Sequence, residues 1–292
     1  MHHLRVLEPA EGVLAFYDGR VPGHRFAEGS NWVDEGAISL GIASYAIVSG
    51  RSALVYDTHV SLDHARYVRE TLESMGVREI TVVLSHWHLD HVAGTEVFAD
   101  CEVIASGRTA EHLSGARAAI ERGELEGPPA IDPLILPTRA LEEDLALDLG
   151  GTEVRLFTTE IHSDDATLLW LPSGRLLFGG DAVEDTVTYV DEPERFDVHL
   201  ANLESLRGLA PARILPNHGD PEVISGGGYE AGLVDDTVSY IERLRRCRVD
   251  PELRDLSLRE FVADLLESGT LNYFEPYEDV HRGNVEKVLA AS

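Results

Sequence analysis

Three imidazoles and a carboxylate crowd into the six residues His86-Trp87-His88-Leu89-Asp90-His91, directly behind the short apolar run Ile80 to Leu84. A run of that length bounded by polar residues reads as a fully buried strand. The polar groups would therefore sit together at the end of a sheet, a concentration that packing alone does not call for. Histidine is the commonest metal ligand near neutral pH, and imidazole mixed with carboxylate suits zinc, iron or manganese better than a thiolate-preferring ion. On this reading positions 86 and 88 face one ion, while 90 and 91 turn toward a second.

The rest of the chain reads as a layered α/β protein. After a Gly- and Pro-rich loop from Gly19 to Gly29, Ile38 to Val48 and Ala53 to Tyr56 predict two strands broken at Gly50-Arg51. Helical spacing from Leu62 to Met75 closes at Gly76, and the strand before the His-rich segment follows. A helix from Val92, a strand at Glu102 to Ala105 and a helix over Thr109 to Glu121 repeat the pattern, up to a Pro-rich surface loop from Gly127 to Pro137. Strands are predicted at Leu145 to Leu149, Glu153 to Thr158, Thr167 to Leu171 and Arg175 to Phe178, the last two joined by a hairpin turn at Pro172-Ser173-Gly174. A helix over His199 to Leu209 and a strand at Arg213 to Leu215 come next. From Tyr229 the β pattern stops, and Leu233 to Cys247, Leu258 to Leu266 and Val280 to Leu289 read as helices.

Four more ligand-type residues each follow an apolar stretch: Asp57 after Leu54-Val55-Tyr56, His162 after Thr158-Thr159-Glu160-Ile161, Asp181 after Leu177-Phe178-Gly179-Gly180, and His218 after Ile214-Leu215-Pro216-Asn217. Strand ends on one sheet edge converge in space, where layered α/β folds place their ligand sites. Singly, each is also what a turn or a structural histidine looks like.

Taken in order, from about Ile38 to His218, these residues resemble the metallo-β-lactamase superfamily. The His86-x-His88-x-Asp90-His91 element is the specific one; the others gain weight from order and spacing. The resemblance implies a four-layer αβ/βα sandwich with additional C-terminal helices and a site where the two sheets meet. It implies one metal on His86, His88 and His162, a second on Asp90, His91 and His218, Asp181 bridging, and Asp57 orienting the ligand loop from behind. Two divalent cations, Zn2+ first and Fe or Mn as substitutes, would at ~3.5–4 Å separation lower the pKa of a shared water toward 7 and polarise the oxygen under attack. Asp90 would pass the proton to the leaving group.

The same resemblance narrows the chemistry. True β-lactamases of the superfamily generally lack a bridging carboxylate at the position of Asp181, whereas thioesterases of the glyoxalase II type, lactonases and phosphodiesterases have it. Quorum-signal lactonases carry a Tyr three residues later, where this chain has Glu184, with Tyr189 beyond. The third element, Ile161-His162-Ser163-Asp164-Asp165, departs from the Gly-His-Thr-Pro-Gly-like turn of many members. The expected function is a binuclear hydrolase of a small ester, thioester or lactone. The alternative is an oxygenase resembling persulfide dioxygenases, with one iron held by two His and one Asp. Flavodiiron-type scaffolds replace the second His by Glu, and here it is His88.

Composition bears mainly on partners. The chain has 292 residues and a formal net charge of −28, from 52 acidic against 24 basic side chains. Such a surface repels a phosphate backbone, so nucleic acid is not an expected partner and a small-molecule substrate is. No stretch approaches the ~18 apolar residues of a membrane span, and the start, Met1-His2-His3-Leu4-Arg5, opens no signal-like apolar run. Cys101 and Cys247 lie far apart and match no paired spacing, which fits a reducing, cytoplasmic setting. Residues 1–228 are expected to form the catalytic unit and 229–292 a helical extension packed on it. Specificity is expected from Gly23 to Asp34, the Pro-rich loop and the helices after Tyr229. Trp32, Tyr189, Tyr273, Phe274 and Tyr277 are candidate pocket walls. Arg243, Arg245, Arg246 and Arg248 are expected to make salt bridges, His59 to cap or lie at the surface, His199 to sit in a helix, and His281 and Asn284 to mark a polar helix face. Oligomeric state is not legible.

Overall fold

A computed structural model describes residues 3–291; Met1, His2 and Ser292, which the amino-terminal and domain expectations include, lie outside the described residues. Among these residues two sheets form. The first has strand order β1 (Arg5–Ala10), β2 (Val13–Asp18), β3 (Ile42–Ser49), β4 (Ser52–Tyr56), β5 (Glu79–Val83), β6 (Glu102–Ser106), β7 (Arg139–Leu141). The second runs β12 (Arg213–Pro216), β11 (Leu176–Gly180), β10 (Thr167–Leu171), β9 (Thr152–Thr158), β8 (Leu145–Leu149). Helices α1 (Leu62–Ser74), α2 (Leu89–Val92), α3 (Gly107–Glu121), α4 (Phe196–Leu209), α5 (Pro221–Ser225), α6 (Gly232–Arg246), α7 (Leu258–Phe261), α8 (Ala263–Ser268) and α9 (Tyr277–Ala290) complete the order.

Strand alternation makes the layers. Successive side chains of a strand point to opposite faces, and the strands of the first sheet divide accordingly. Val13, Ala15, Tyr17, Ala43, Tyr45, Ile47, Leu54 and Tyr56 pack inward against the second sheet. Leu14, Phe16, Ile42, Ala46, Ala53 and Val55 pack outward under Ala65, Val68 and Leu72 of α1 and Leu113 and Ile120 of α3. On its other side the second sheet is covered by α4, α6 and α9 through Leu203, Leu206, Tyr240, Ile241, Leu244, Val285 and Val288. The result is the expected αβ/βα sandwich, and the C-terminal helices pack on the outer face of the second sheet.

Three inward tyrosines tie the sheets together. Buried hydroxyls need partners, and Tyr17 Oη donates to Gly219 O at 2.8 Å, Tyr45 to Pro216 O and Tyr56 to Thr167 O at 2.7 Å. Each acceptor lies at the strand-end side where the second sheet carries its chemistry.

Several boundaries differ from the sequence reading. Strands β1 and β2 were not anticipated, nor was the three-residue β7, too short to show a period. The expected strand from Ile38 begins at Ile42, because Val33–Ile38 winds as a π-helix. Leu258 to Leu266 is broken at Val262 into α7 and α8. The Pro-rich stretch is a loop whose Pro129 carbonyl accepts from Trp32 Nε1 at 2.9 Å. No helix among the described residues is long and apolar enough to cross a membrane.

Candidate metal centre

Every candidate ligand lies just beyond the carboxyl end of a strand. Asp57 follows β4, the His-rich segment follows β5, His162 follows β9, Asp181 follows β11 and His218 follows β12. Parallel pairing of β4 with β5 and of β11 with β12 brings four of these ends to one edge. Asp57 and His162 hold φ of 67° and 72°, conformations uncommon for side-chain-bearing residues and concentrated where function over-determines the backbone.

The His-rich loop is pinned from behind. Asp57, fully buried, accepts Ser85 N at 2.6 Å with Oδ1 and faces His91 Nδ1 at 3.0 Å with Oδ2, which also takes Asn217 Nδ2. Thr58 N and Oγ1 both donate to the His91 carbonyl, at 2.7 and 3.0 Å. Trp87 N donates to Asp165 Oδ2 at 3.0 Å. Gly94 lets the segment lie against α1, since a Cβ there would stand 2.1 Å from Thr58 O and 2.4 Å from Ala65 Cβ.

The structure brings His86, His88, Asp90, His91, His162, Asp181 and His218 together, with Asp57 behind them. Ligand atoms group within 4.8 Å of one another as His86, His88, His162; as Asp90, His91, His218; as His86, His91, Asp181; and as His162, Asp181, Glu184. Asp181 Oδ2 lies 3.7 Å from His86 Nε2, 3.2 Å from His91 Nε2 and 3.5 Å from His218 Nε2, so one carboxylate faces members of both the His86–His88–His162 and the Asp90–His91–His218 groups.

Outer hydrogen bonds decide whether these groups suit cations. His162 Nδ1 faces Tyr189 O at 3.0 Å and His218 Nδ1 faces Gly41 O at 2.8 Å. A carbonyl only accepts, so these nitrogens carry the proton and Nε2 presents a lone pair inward. His91 Nδ1 is tied to Asp57 in the same sense. Inside, His88 Nδ1 stands 2.9 Å from His86 Nε2 and 3.2 Å from His162 Nε2, while His91 Nε2 and Asp181 Oδ1 are buried with no hydrogen-bond partner among the described residues. Lone pairs do not satisfy one another. A cation between them does, and backbone or carboxylate partners on the outer nitrogen are how metal-binding imidazoles are usually oriented.

Charge agrees. Burial, with His91 and His88 nearby, holds His86 well below the ordinary imidazole value, and burial with His88 brings His162 down to about 3. Burial also acts to lower His91 and His218, but the Asp90 and Asp181 carboxylates override it and raise both. Protons and divalent cations compete for such nitrogens.

Residues matching the metallo-beta-lactamase superfamily domain run from 39 to 227, about two thirds of the chain. The chain belongs to the metallo-β-lactamase superfamily. Relatives include the Beta-lactamase-like protein 2 homolog of Caenorhabditis elegans, 23% identical over 74% of this chain and 65% of that protein. The homolog of the same name in Drosophila melanogaster is 27% identical over 62% and 59%, and the Linear primary-alkylsulfatase of a Pseudomonas species 22% identical over 58% and 39%. The chain thus spans less than two thirds of the length of each. The metallo-β-lactamase of Pontibacter korlensis aligns with TM-score 0.62 at 17% identity, over 82% of this chain and 99% of that one. The DIM-1 metallo-β-lactamase gives 0.61 at 19%, over 82% and 97%. Those structures share the fold.

The centre opens into a cavity of about 750 Å³ whose lining includes His88, Asp90, His162, Asp181, Glu184, Tyr189 and His218, with Pro276, Asp279, Val280 and Gly283 from α9 and the turn before it. Within the expected polar helix face, His281 and Asn284 are instead buried, and Asn284 Nδ2 donates to Thr188 O at 2.9 Å while Oδ1 accepts Val190 N at 2.8 Å. His59 is neither a surface group nor a helix cap: it is fully buried and stacks on His64 at 4.4 Å. His199 is buried beside Phe196. Of the aromatic candidates, Tyr189 lines the cavity, and Tyr277 supports it from behind by donating to Glu184 Oε2 at 3.0 Å. Burial pushes the Glu184 carboxyl up to about 8. Arg243, Arg245 and Arg246 pair with Asp264, Asp197 and Asp250, and Arg248 with Pro193 O.

Sequence reasoning missed Asn217, Asp165, Glu184 and the carbonyls of Gly41 and Tyr189. Asn217 and Asp165 are sequence neighbours of assigned ligands, a usable signal. Backbone carbonyls leave none.

Proposed function

We propose that this chain is a binuclear metal-dependent hydrolase of a small ester, thioester or lactone. The observation that carries the reading is Asp181: one buried carboxylate facing His86 on one side and His91 and His218 on the other, with its second oxygen unpartnered among the described residues. Such an arrangement suits two cations sharing one anion, with His86, His88 and His162 holding one, Asp90, His91 and His218 the other, and Zn2+ the leading candidate. When bound, the ions supply an acidified water and a Lewis acid at the oxygen under attack.

The chain's own residues do the rest. Asp57 and the Tyr189 and Gly41 carbonyls fix the rings, so that the ligands need no rearrangement during turnover. Asp90 is the best-placed proton carrier, because it lines the cavity while its oxygens stay 3.3 Å from His91 and 3.2 Å from His218. It would hand a proton to the departing alkoxide or thiolate.

The test is metal analysis combined with a substrate panel. Protein with about two zinc or manganese ions per chain is expected to cleave thioesters, esters or lactones and to lose that activity on chelation. One ferrous ion with oxygen uptake on a glutathione persulfide would replace this reading by the oxygenase. Asp90→Asn with full metal content and full activity would remove Asp90 from its role.

A further inference from the structure

The same cavity has an uneven distribution of charge. Besides the cluster at its floor, its lining carries the carboxylates of Glu35, Glu126 and Asp279, and no Lys or Arg among the described residues that line it. Nearby cations are already engaged: Lys287 Nζ lies 2.9 Å from Asp191 Oδ1 and bonds Tyr189 Oη, Arg282 pairs with Asp279, and Arg20 donates to the Leu40 and Asp185 carbonyls. Asp279 is thus balanced by Arg282, whereas Glu35 receives only the Ser30 hydroxyl, at 2.6 Å, and Glu126 has no hydrogen-bond or ion-pair partner among the described residues. The cavity is the one that Asp181, 4% exposed, lines with its unpartnered oxygen.

We infer that the substrate's non-reacting end is cationic, and that compounds bearing a carboxylate, sulfate or phosphate there are poor substrates. The inference rests on the hydrolase reading for its chemistry. Two divalent cations would outweigh Asp90 and Asp181 at the floor, so the cavity would be positive where the carbonyl oxygen goes and negative around Glu35 and Glu126. A substrate laid along that gradient puts its oxygen down and an ammonium group outward. Glu35 and Glu126 are exposed, so the discrimination acts through their field along the cavity and is screened by salt.

The experiment uses the metal-loaded full chain and three thioesters of equal length whose acyl tails end in trimethylammonium, methyl or carboxylate. At low salt kcat/KM is expected to fall in that order, with the first about tenfold or more above the last. The ratio should shrink as ionic strength passes about 0.1 M, where screening acts within ~10 Å, and should fall toward one in Glu35→Gln/Glu126→Gln. Equal rates on all three, or preference for the carboxylate, would overturn the inference and leave the hydrolase reading standing. Should none be cleaved, the hydrolase reading fails instead. Calorimetric binding of hexyltrimethylammonium against hexanoate then decides: ammonium preference lost in the double variant upholds the charge selection, and equal binding ends it.

Discussion

Among the described residues two histidine clusters gather around a buried aspartate, and one of them has the features of a metal centre. Around Asp18, His64 Nε2 stands 3.0 Å from Oδ2, His24 Nε2 3.2 Å from Oδ1, and Gly19 N donates to Oδ1 at 2.7 Å. His64 Nδ1 meets Ser61 Oγ at 2.7 Å and His59 stacks above. There the central anion accepts from Gly19 N and faces His64 Nε2, while His24 Nε2 and His59 Nε2 have no hydrogen-bond partner among the described residues, and the Asp18 carboxylate takes its hydrogen bonds from the protein itself. Around Asp181 the donors point outward, to Asp57, Gly41 and Tyr189, and lone pairs point in. Counting histidines does not separate the two; the partner of each outer nitrogen does.

The largest effect expected from that difference is at His91. His91→Ala removes a proposed ligand, and metal stoichiometry should fall by at least one ion per chain, with activity dropping by more than the roughly 10–100-fold that losing an outer partner costs. Full stoichiometry by elemental analysis would break the comparison. Next comes Asp57→Asn, which keeps the shape but weakens the hold on His91 and Ser85 N. Metal affinity should drop roughly 10–100-fold, read by competition with a chelator. A loss of folding stability without loss of affinity would make Asp57 purely architectural.

The smallest effect concerns the other cluster, in stability alone. His64→Ala leaves a buried carboxylate short of a donor and should cost about 1–3 kcal/mol in denaturant unfolding, with metal content unchanged. Burial alone would raise Asp18, but the hydrogen bond and charge of His64, with His24 and His59, bring it down to about 2 from 3.8. A depressed carboxyl stabilises the fold above its unfolded value and loses that contribution as pH falls through the folded one. Some 2 kcal/mol should therefore disappear between about pH 4 and pH 2, and this window should be missing in His64→Ala. Metal loss in that variant would show that the clusters are coupled.

The candidate centre was readable because its residues are short-range in sequence or end a recognisable strand: four lie in one six-residue segment, and Asp57, Asp181 and His218 each follow an apolar run. The supporting groups were harder to see. Asn217 and Asp165 resemble ordinary turn residues until Asp57 and Trp87 N are found beside them, and a carbonyl such as Gly41 O has no side-chain identity at all. Strands β1 and β2 were passed over although Val13–Asp18 is buried throughout, because a run apolar on both faces has no period to read. Nothing local marks His59 and His281 as buried, because burial is a property of what packs against a residue.

By itself the sequence determined the layered α/β architecture, through strand and helix periodicities that each element carries locally, and the identity of the residues ending the strands. Tertiary structure alone decided which imidazole nitrogens face inward, that Asp181 faces both the His86–His88–His162 and the Asp90–His91–His218 groups, and that α9 helps wall the cavity beside uncompensated Glu35 and Glu126. Those outcomes depend on contacts between residues up to 177 positions apart, such as His218 with Gly41, and no local pattern encodes a hydrogen bond across that distance.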